Sequence, residues 1–105
     1  MRVSGLNMPT HAELQAFLRE YRKLSHRQQT LFLAAVDEMV EDLKARVPFR
    51  ASLRVKGVQG HPGIFEMTWE MPNGRATFSY GPQVVPGEQH IIWRRIGGHE
   101  ILSNP

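Results

Sequence analysis

The chain has 105 residues and a formal charge of +3 at pH 7, from 13 Lys or Arg and 10 Asp or Glu. This length fits one modest core, so residues 1–105 are expected to form a single domain. Cysteine is absent, which excludes disulfides and thiolate metal sites. No apolar run approaches the ~18 residues of a membrane helix, and the first residues are too polar for a signal peptide. We therefore expect a cytoplasmic protein without a membrane partner, whose mild positive charge permits binding to nucleic acid.

The N-terminal half is predicted to form two helices, preceded by at most a short edge strand at Arg2–Leu6. Thr10 with Glu13 three residues later predicts a capping box at the start of the first helix. This helix is expected to end near Leu24. Its apolar residues recur at the spacing of one helical face, and they are Leu14, Phe17, Leu18 and Tyr21.

A second helix follows almost at once, because Ser25 and Gln28 form another capping-box pair. It is expected to stop before Val47-Pro48, since proline disfavours helical geometry in the residue that precedes it. Its apolar face carries Phe32, Val36, Met39, Val40 and Leu43. The short connection between the helices predicts an antiparallel helical hairpin.

Beyond the helices the apolar pattern takes the period of two that is typical of strands. A candidate short strand contains Leu53 and Val55, and a second strand runs from Ile64 to Glu70. The pair Asn73-Gly74 is a strong hairpin signal, and Arg75–Tyr80 is the strand that follows it.

The last predicted strand lies within His90–Leu102, which contains two arginines inside an apolar run. If Trp93 points into the core, alternation puts three residues on the opposite face, namely His90, Ile92 and Arg94. Arg95 is then expected at the strand end. The pair Gly97-Gly98 allows a sharp turn that can bring His99 back beside the guanidinium groups.

These elements predict an α+β fold, in which the helical hairpin covers one face of an antiparallel sheet of three to four strands. The other face is expected to be polar and open, and to carry Glu66, Thr68, Arg75, Thr77, Ser79 and Arg94. Arginine beside histidine suits an anionic, phosphate-bearing ligand. The histidines lack the paired spacing of metal ligands, so neither a metal nor a cofactor is predicted.

Three stretches resemble the RelE/ParE superfamily of toxins, and its YafQ-like branch in particular: Gly63–Trp69, Gly74–Tyr80 and Trp93–Ile101. The last contains an Arg-x-Gly-x-His ending, in which Arg95 and His99 match the arginine and histidine of that branch's ribonuclease site. Arg75 matches a strand arginine that contacts the scissile phosphate in RelE-type toxins. The resemblance therefore implies that Arg75, Arg95 and His99 are catalytic.

The resemblance also implies a function. A protein of this type is the toxin of a type II toxin–antitoxin module, a metal-independent messenger-RNA endoribonuclease that inhibits translation, often on the ribosome. Its partners are messenger RNA and a cognate antitoxin protein. Further contacts to the RNA are expected from Arg94 and His61, and from Lys56 and Arg54 along the RNA backbone.

Two alternatives stay open. A ParE-like protein shares the scaffold but inhibits DNA gyrase by binding, and it needs no acid–base histidine. The other alternative is a binding protein without catalysis. It is favoured by Trp69 and Asn73, which stand where YafQ-like toxins carry a histidine and an aspartate. The chain also departs from the family at Leu102 and Ser103, where RelE-type toxins often carry an aromatic residue. Single residues also have purely structural interpretations. Arg95 could form a surface ion pair with Glu100 or Glu70, and both tryptophans could belong to the core.

Overall fold

The computed structural model describes residues 10–105, so the edge strand predicted at Arg2–Leu6 lies outside the described residues. Its helices and strands are β1 (His11–Glu13), α1 (Gln15–Lys23), α2 (His26–Ala45), β2 (Lys56–Gly57), β3 (Phe65–Glu70), β4 (Gly74–Gly81) and β5 (His90–Gly97). Short 3-10 helices lie at Ala51–Leu53 and His99–Ser103. Two helices packed on one sheet give the α+β fold that the sequence predicts. Within residues 10–105, neither helix has the length and apolarity needed to span a bilayer.

The start and end of α2 confirm the sequence prediction. The Ser25 hydroxyl accepts from the Gln28 amide at 3.1 Å, and the Gln28 side chain accepts from the Ser25 amide at 2.9 Å. These two bonds form the predicted capping box, which satisfies donors that the first helical turn leaves free. The helix ends at Ala45, and Arg46 takes a left-handed conformation with φ 57° just before Val47-Pro48.

The capping box predicted at Thr10 and Glu13 is wrong, because His11–Glu13 is strand β1 and α1 begins at Gln15. The Thr10 hydroxyl donates to the Gln89 carbonyl at 2.6 Å instead, and the Ile91 amide donates to the Thr10 carbonyl at 3.2 Å. The free edge of β5 offers this segment a ladder of backbone hydrogen bonds, which a local cap cannot match.

The sheet has five strands in the order β1-β5-β4-β3-β2, more than the three to four predicted. The pair β1–β5 is parallel, and the other three pairs are antiparallel. The predicted strand around Leu53 and Val55 is displaced, since Leu53 lies in a 3-10 helix and β2 consists of Lys56 and Gly57 alone. Leu53 is 2% exposed, so it still contributes to the core from that helix.

An aromatic cluster joins the helices to the sheet. The ring of Trp93 on β5 lies 5.2 Å from that of Phe32 on α2, 5.5 Å from that of Phe78 and 6.0 Å from that of Phe17 on α1. Both tryptophans are buried as predicted, Trp93 completely and Trp69 at 7% exposure. The core therefore lies between the two helices and one face of the sheet.

A bulge in β5 changes the position predicted for Arg95. Thr77 pairs with Arg95 whereas Phe78 pairs with Trp93, so Arg94 is an extra residue in the ladder. Arg95 consequently lies inside the strand, which continues to Gly97, and not at its end. The added residue also returns Ile96 to the core face, where it is 1% exposed.

The sheet face away from the helices is less open than the sequence predicts. The C-terminal 3-10 helix contacts both β4 and β5. Its Ile101 is 2% exposed, and the Cγ2 atom of Ile101 would lie 3.1 Å from a Cβ placed on Gly97. Three polar residues of this face are buried, namely Glu66, Thr68 and Thr77. The C-terminal segment therefore covers part of the face on which the candidate site was predicted.

Candidate functional site

Arg75 lies at the start of β4, opposite Gly97 of β5. Its Nη1 donates to the carbonyls of Pro72 and Gly74, both at 3.1 Å, and its Nε lies 3.6 Å from Glu66 Oε1. The Arg75 side chain is 13% exposed. Among residues 10–105, Nη2 has no hydrogen-bond partner, so this end of the guanidinium is the one that remains available to a phosphate oxygen.

His99 is held at the same end of the β4–β5 pair. Its backbone amide donates to Asn73 Oδ1 at 2.9 Å, and the amide of Gly98 donates to Glu100 Oε1 at 3.2 Å. The imidazole is exposed and makes no hydrogen bond to any other residue of the described chain. A Cβ at position 98 would clash with the Glu100 carboxylate and lie 2.6 Å from Asn73 Nδ2, so a larger residue there would require these two side chains to move.

Arg95 is occupied by structural contacts. Its Nε and Nη2 donate to the two carboxylate oxygens of Glu20 on α1, at 2.8 and 2.7 Å, and its Nη1 donates to the Asn104 carbonyl at 2.7 Å. Glu20 Oε1 also accepts from the Ile96 amide at 3.3 Å. The hydrogen bonds that Arg95 donates to Glu20 raise the pKa of Arg95, which remains charged. The ion pair thus joins α1, the end of β5 beyond its pairing with β1, and the C-terminal segment. Its acid is neither Glu100 nor Glu70.

The Glu20–Arg95 pair yields a stability prediction. Both side chains are about three-quarters buried, with exposures of 24% and 25%. Glu20→Ala leaves the guanidinium and the Ile96 amide without their acceptor, so we expect a loss of about 1–3 kcal/mol in the free energy of unfolding. Urea denaturation of both single variants and the double variant with Arg95→Ala measures the coupling, which is expected to reach about 1 kcal/mol or more.

Glu88→Ala is the control for this cycle, since Glu88 is exposed and its side chain has no hydrogen bond within the described residues. Its effect is expected to stay within about 0.5 kcal/mol. A coupling energy near zero between Glu20 and Arg95 would show that the pair does not contribute to stability in solution.

The other residues predicted to contact RNA lie elsewhere. Arg54 and Lys56 are exposed near β2, and His61 is partly exposed in the connection between β2 and β3. β2 is separated from β5 by two intervening strands, which corresponds to about 14 Å at the usual strand spacing. Arg94 is half-buried at the bulge, and its Nε has no partner among residues 10–105. Arg75 and His99 therefore lie at the same end of the β4–β5 pair, and Arg54, Lys56 and His61 lie toward the opposite edge of the sheet.

Sequence reasoning missed the residues that hold this arrangement. The sequence marks Asn73 as a turn residue and a departure from the YafQ-like pattern, and no pattern in it singles out Glu20. Their contacts cross 26 and 75 positions of the chain, so no local pattern signals them. In the described part of the chain, no three His, Asp or Glu side chains group as metal ligands would.

No protein-family model matches the chain, and no curated protein matches it in sequence. Solved structures do match it in fold. A chain of the DinJ–YafQ toxin–antitoxin complex from E. coli has 14% identity and a TM-score of 0.57, and the match covers 88% of this chain and 93% of that one. A chain of the RelB–RelE antitoxin–toxin complex from Methanococcus jannaschii has 13% identity and a TM-score of 0.57, over 89% of this chain and 95% of that one.

A mutant of YafQ from E. coli matches with 12% identity and a TM-score of 0.57, over 88% of this chain and 94% of that one. At such identities the likeness concerns the fold. It extends over nearly the whole length of both chains, and thus includes both helices and the sheet. The fold of this chain is that of the RelE/YafQ-like toxins.

Proposed function

We propose that this chain is the toxin of a type II toxin–antitoxin module and that it inhibits translation by cleaving messenger RNA in the cytoplasm. Two findings support the proposal. The fold is shared with YafQ and RelE, which were solved in complexes with antitoxins. The observation that carries the reaction is local: Arg75 and His99 lie at one end of the β4–β5 pair, linked through the turn that contains Asn73.

The proposed reaction is attack of a ribose 2′-hydroxyl on the adjacent phosphorus. The bond from phosphorus to O2′ forms, the bond to O5′ breaks, and the products are a 2′,3′-cyclic phosphate and a free 5′-hydroxyl. A base takes the proton of the 2′-hydroxyl, an acid gives one to the leaving O5′, and a cation stabilises the extra charge on the phosphorane.

Arg75 would supply the cation, because its free Nη2 can donate to a phosphate oxygen. His99 would carry one of the two proton transfers, since its imidazole is exposed and histidine is the side chain that most often acts as a general acid or base. The RNA backbone would continue toward the exposed cations Arg54 and Lys56, with His61 and Arg94 as further contacts. The chemistry is assigned to protein side chains alone.

Arg95 takes a different role in this proposal. Its guanidinium would have to release Glu20 or the Asn104 carbonyl before it could grip a phosphate in a fork. We assign it the positioning of the β5 edge and the C-terminal segment, from which His99 projects. A cognate antitoxin would act as the protein partner that holds the toxin inactive.

Two observations favour a second candidate, a binding protein of the same fold without catalysis. Arg95 is engaged in internal contacts, and Trp69, at the position matched to a YafQ-like histidine, is 7% exposed and belongs to the core. Such a protein would bind RNA or a protein partner and release no cleaved product.

Mapping of transcript ends after induced expression in bacterial cells tests the proposal. New 5′ ends within coding regions, reproduced by purified protein on the same RNA in the presence of EDTA, are expected. DNA damage with intact transcripts would instead indicate a gyrase inhibitor. Unchanged growth with intact transcripts and DNA would leave the non-catalytic candidate.

A further inference from the structure

The turn between β3 and β4 connects the two groups assigned to the reaction. It contains Pro72, Asn73 and Gly74. The carbonyls on either side of Asn73 both accept from the guanidinium of Arg75, at 3.1 Å each. The side chain of Asn73 accepts from the backbone amide of His99 at 2.9 Å. A short path of hydrogen bonds therefore runs from the guanidinium, through the turn, to the residue that carries the imidazole.

We propose that Asn73 is a positioning residue, which fixes the segment of His99 relative to Arg75 through the bond from its Oδ1 to the His99 amide. The inference rests on the proposed function, because it concerns the geometry of that same site. Asn73 touches neither the phosphate nor a reacting atom in this scheme, so it is not itself catalytic.

The need for such a bond follows from the chain on either side of it. Gly97 and Gly98 precede His99, and glycine loses more conformational freedom than any other residue when its position is fixed. The contact between the Gly98 amide and Glu100 is local and spans two residues. Among the described residues, the bond to Asn73 is the side-chain hydrogen bond that links the backbone of His99 to the turn between β3 and β4.

The surroundings of Gly98 support the same conclusion. The side-chain amide of Asn73 and the Glu100 carboxylate both lie against this residue, within 3 Å of where a Cβ would stand. Asn73 is itself exposed, and its bond to His99 is therefore not forced by burial of the amide. A displacement of about 1 Å at a reacting group can lower a rate by up to about 10²-fold, so the position of this segment matters for the proposed reaction.

The test compares Asn73→Ala with Asn73→Asp, whose carboxylate accepts the same hydrogen bond. Purified variants are measured for kcat and KM on an RNA that the wild-type protein cleaves, and for hydrogen exchange of the His99 amide by NMR. Asn73→Ala is expected to lower kcat about 10-fold with little change in KM, and to accelerate exchange at His99. Asn73→Asp is expected to keep kcat within about 3-fold of wild type and to keep the amide protected.

Gln15→Ala is the matched control, because Gln15 is an exposed amide on α1 without a side-chain hydrogen bond in residues 10–105. It is expected to change neither quantity. Wild-type kcat and slow exchange in Asn73→Ala would overturn the inference while RNA cleavage by the wild-type protein upheld the proposed function. Absence of cleavage by wild-type protein, with His99 exchange still dependent on Asn73, would reject the function and leave the tether as a structural feature alone.

Discussion

Replacement of His99 by alanine is expected to lower the rate of RNA cleavage by about 10²–10⁴-fold, which is the usual contribution of one general acid or base. The imidazole is exposed and makes no hydrogen bond to the described chain, so its removal should change the free energy of unfolding by less than about 0.5 kcal/mol. The bond to Asn73 uses the backbone amide and survives the substitution. Loss of activity would therefore report on chemistry and not on folding.

The measurement is the initial rate of cleavage of a mapped RNA by purified protein, together with growth of cells that express each variant. His26→Ala is the control, because His26 is also an exposed histidine, at the first residue of α2. A His99→Ala variant with the wild-type rate would remove histidine from the mechanism.

Arg54→Ala offers a useful contrast, since loss of an exposed cation on the RNA path should raise KM and leave kcat nearly unchanged.

The helices illustrate what local sequence patterns can predict. The capping box of Ser25 and Gln28 appears in the structure as predicted, because all its groups lie within one helical turn. The equally good pattern at Thr10 and Glu13 forms no cap. The Thr10 hydroxyl donates to the Gln89 carbonyl, 79 positions away, and the next three residues pair with β5. A local pattern predicts a local bond, and it fails where a distant strand edge competes for the same backbone groups.

In the candidate site, too, local features could be predicted from the sequence and long-range contacts could not. Strand alternation and the Asn-Gly pair predict the position of Arg75 and of the hairpin turn before it. The Gly-Gly pair predicts a turn that places the C-terminal histidine after the last strand. The surroundings of Arg95 could not be predicted. They depend on the bulge at Arg94 and on Glu20, whose bond to Arg95 crosses 75 positions. Register shifts and distant ion pairs leave no periodic pattern in a sequence. They determine the geometry of a site, but the sequence alone does not predict them.

Substitution of Trp93 is expected to have the largest effect on stability. Trp93 is completely buried, and its ring lies within 6.0 Å of the rings of Phe17, Phe32 and Phe78. Trp93→Ala removes the side chain that joins both helices to β4 and β5, so we expect a loss of about 3–5 kcal/mol. A domain of this size is stable by only about 5–15 kcal/mol, and the variant should therefore be close to unfolding at 37 °C.

The effect of Trp93→Phe separates packing from polarity. The indole Nε1 of Trp93 is buried without a hydrogen-bond partner in residues 10–105, and an unsatisfied buried donor opposes folding by about 1–3 kcal/mol. Phenylalanine keeps an aromatic ring among the other three and removes that donor, so its net effect should be less than about 1.5 kcal/mol. Val84→Ala, at a side chain that is 68% exposed, is the control in urea denaturation. Equal losses for the alanine and phenylalanine variants would mean that the full volume of the indole, and not the presence of a ring, holds the helices on the sheet.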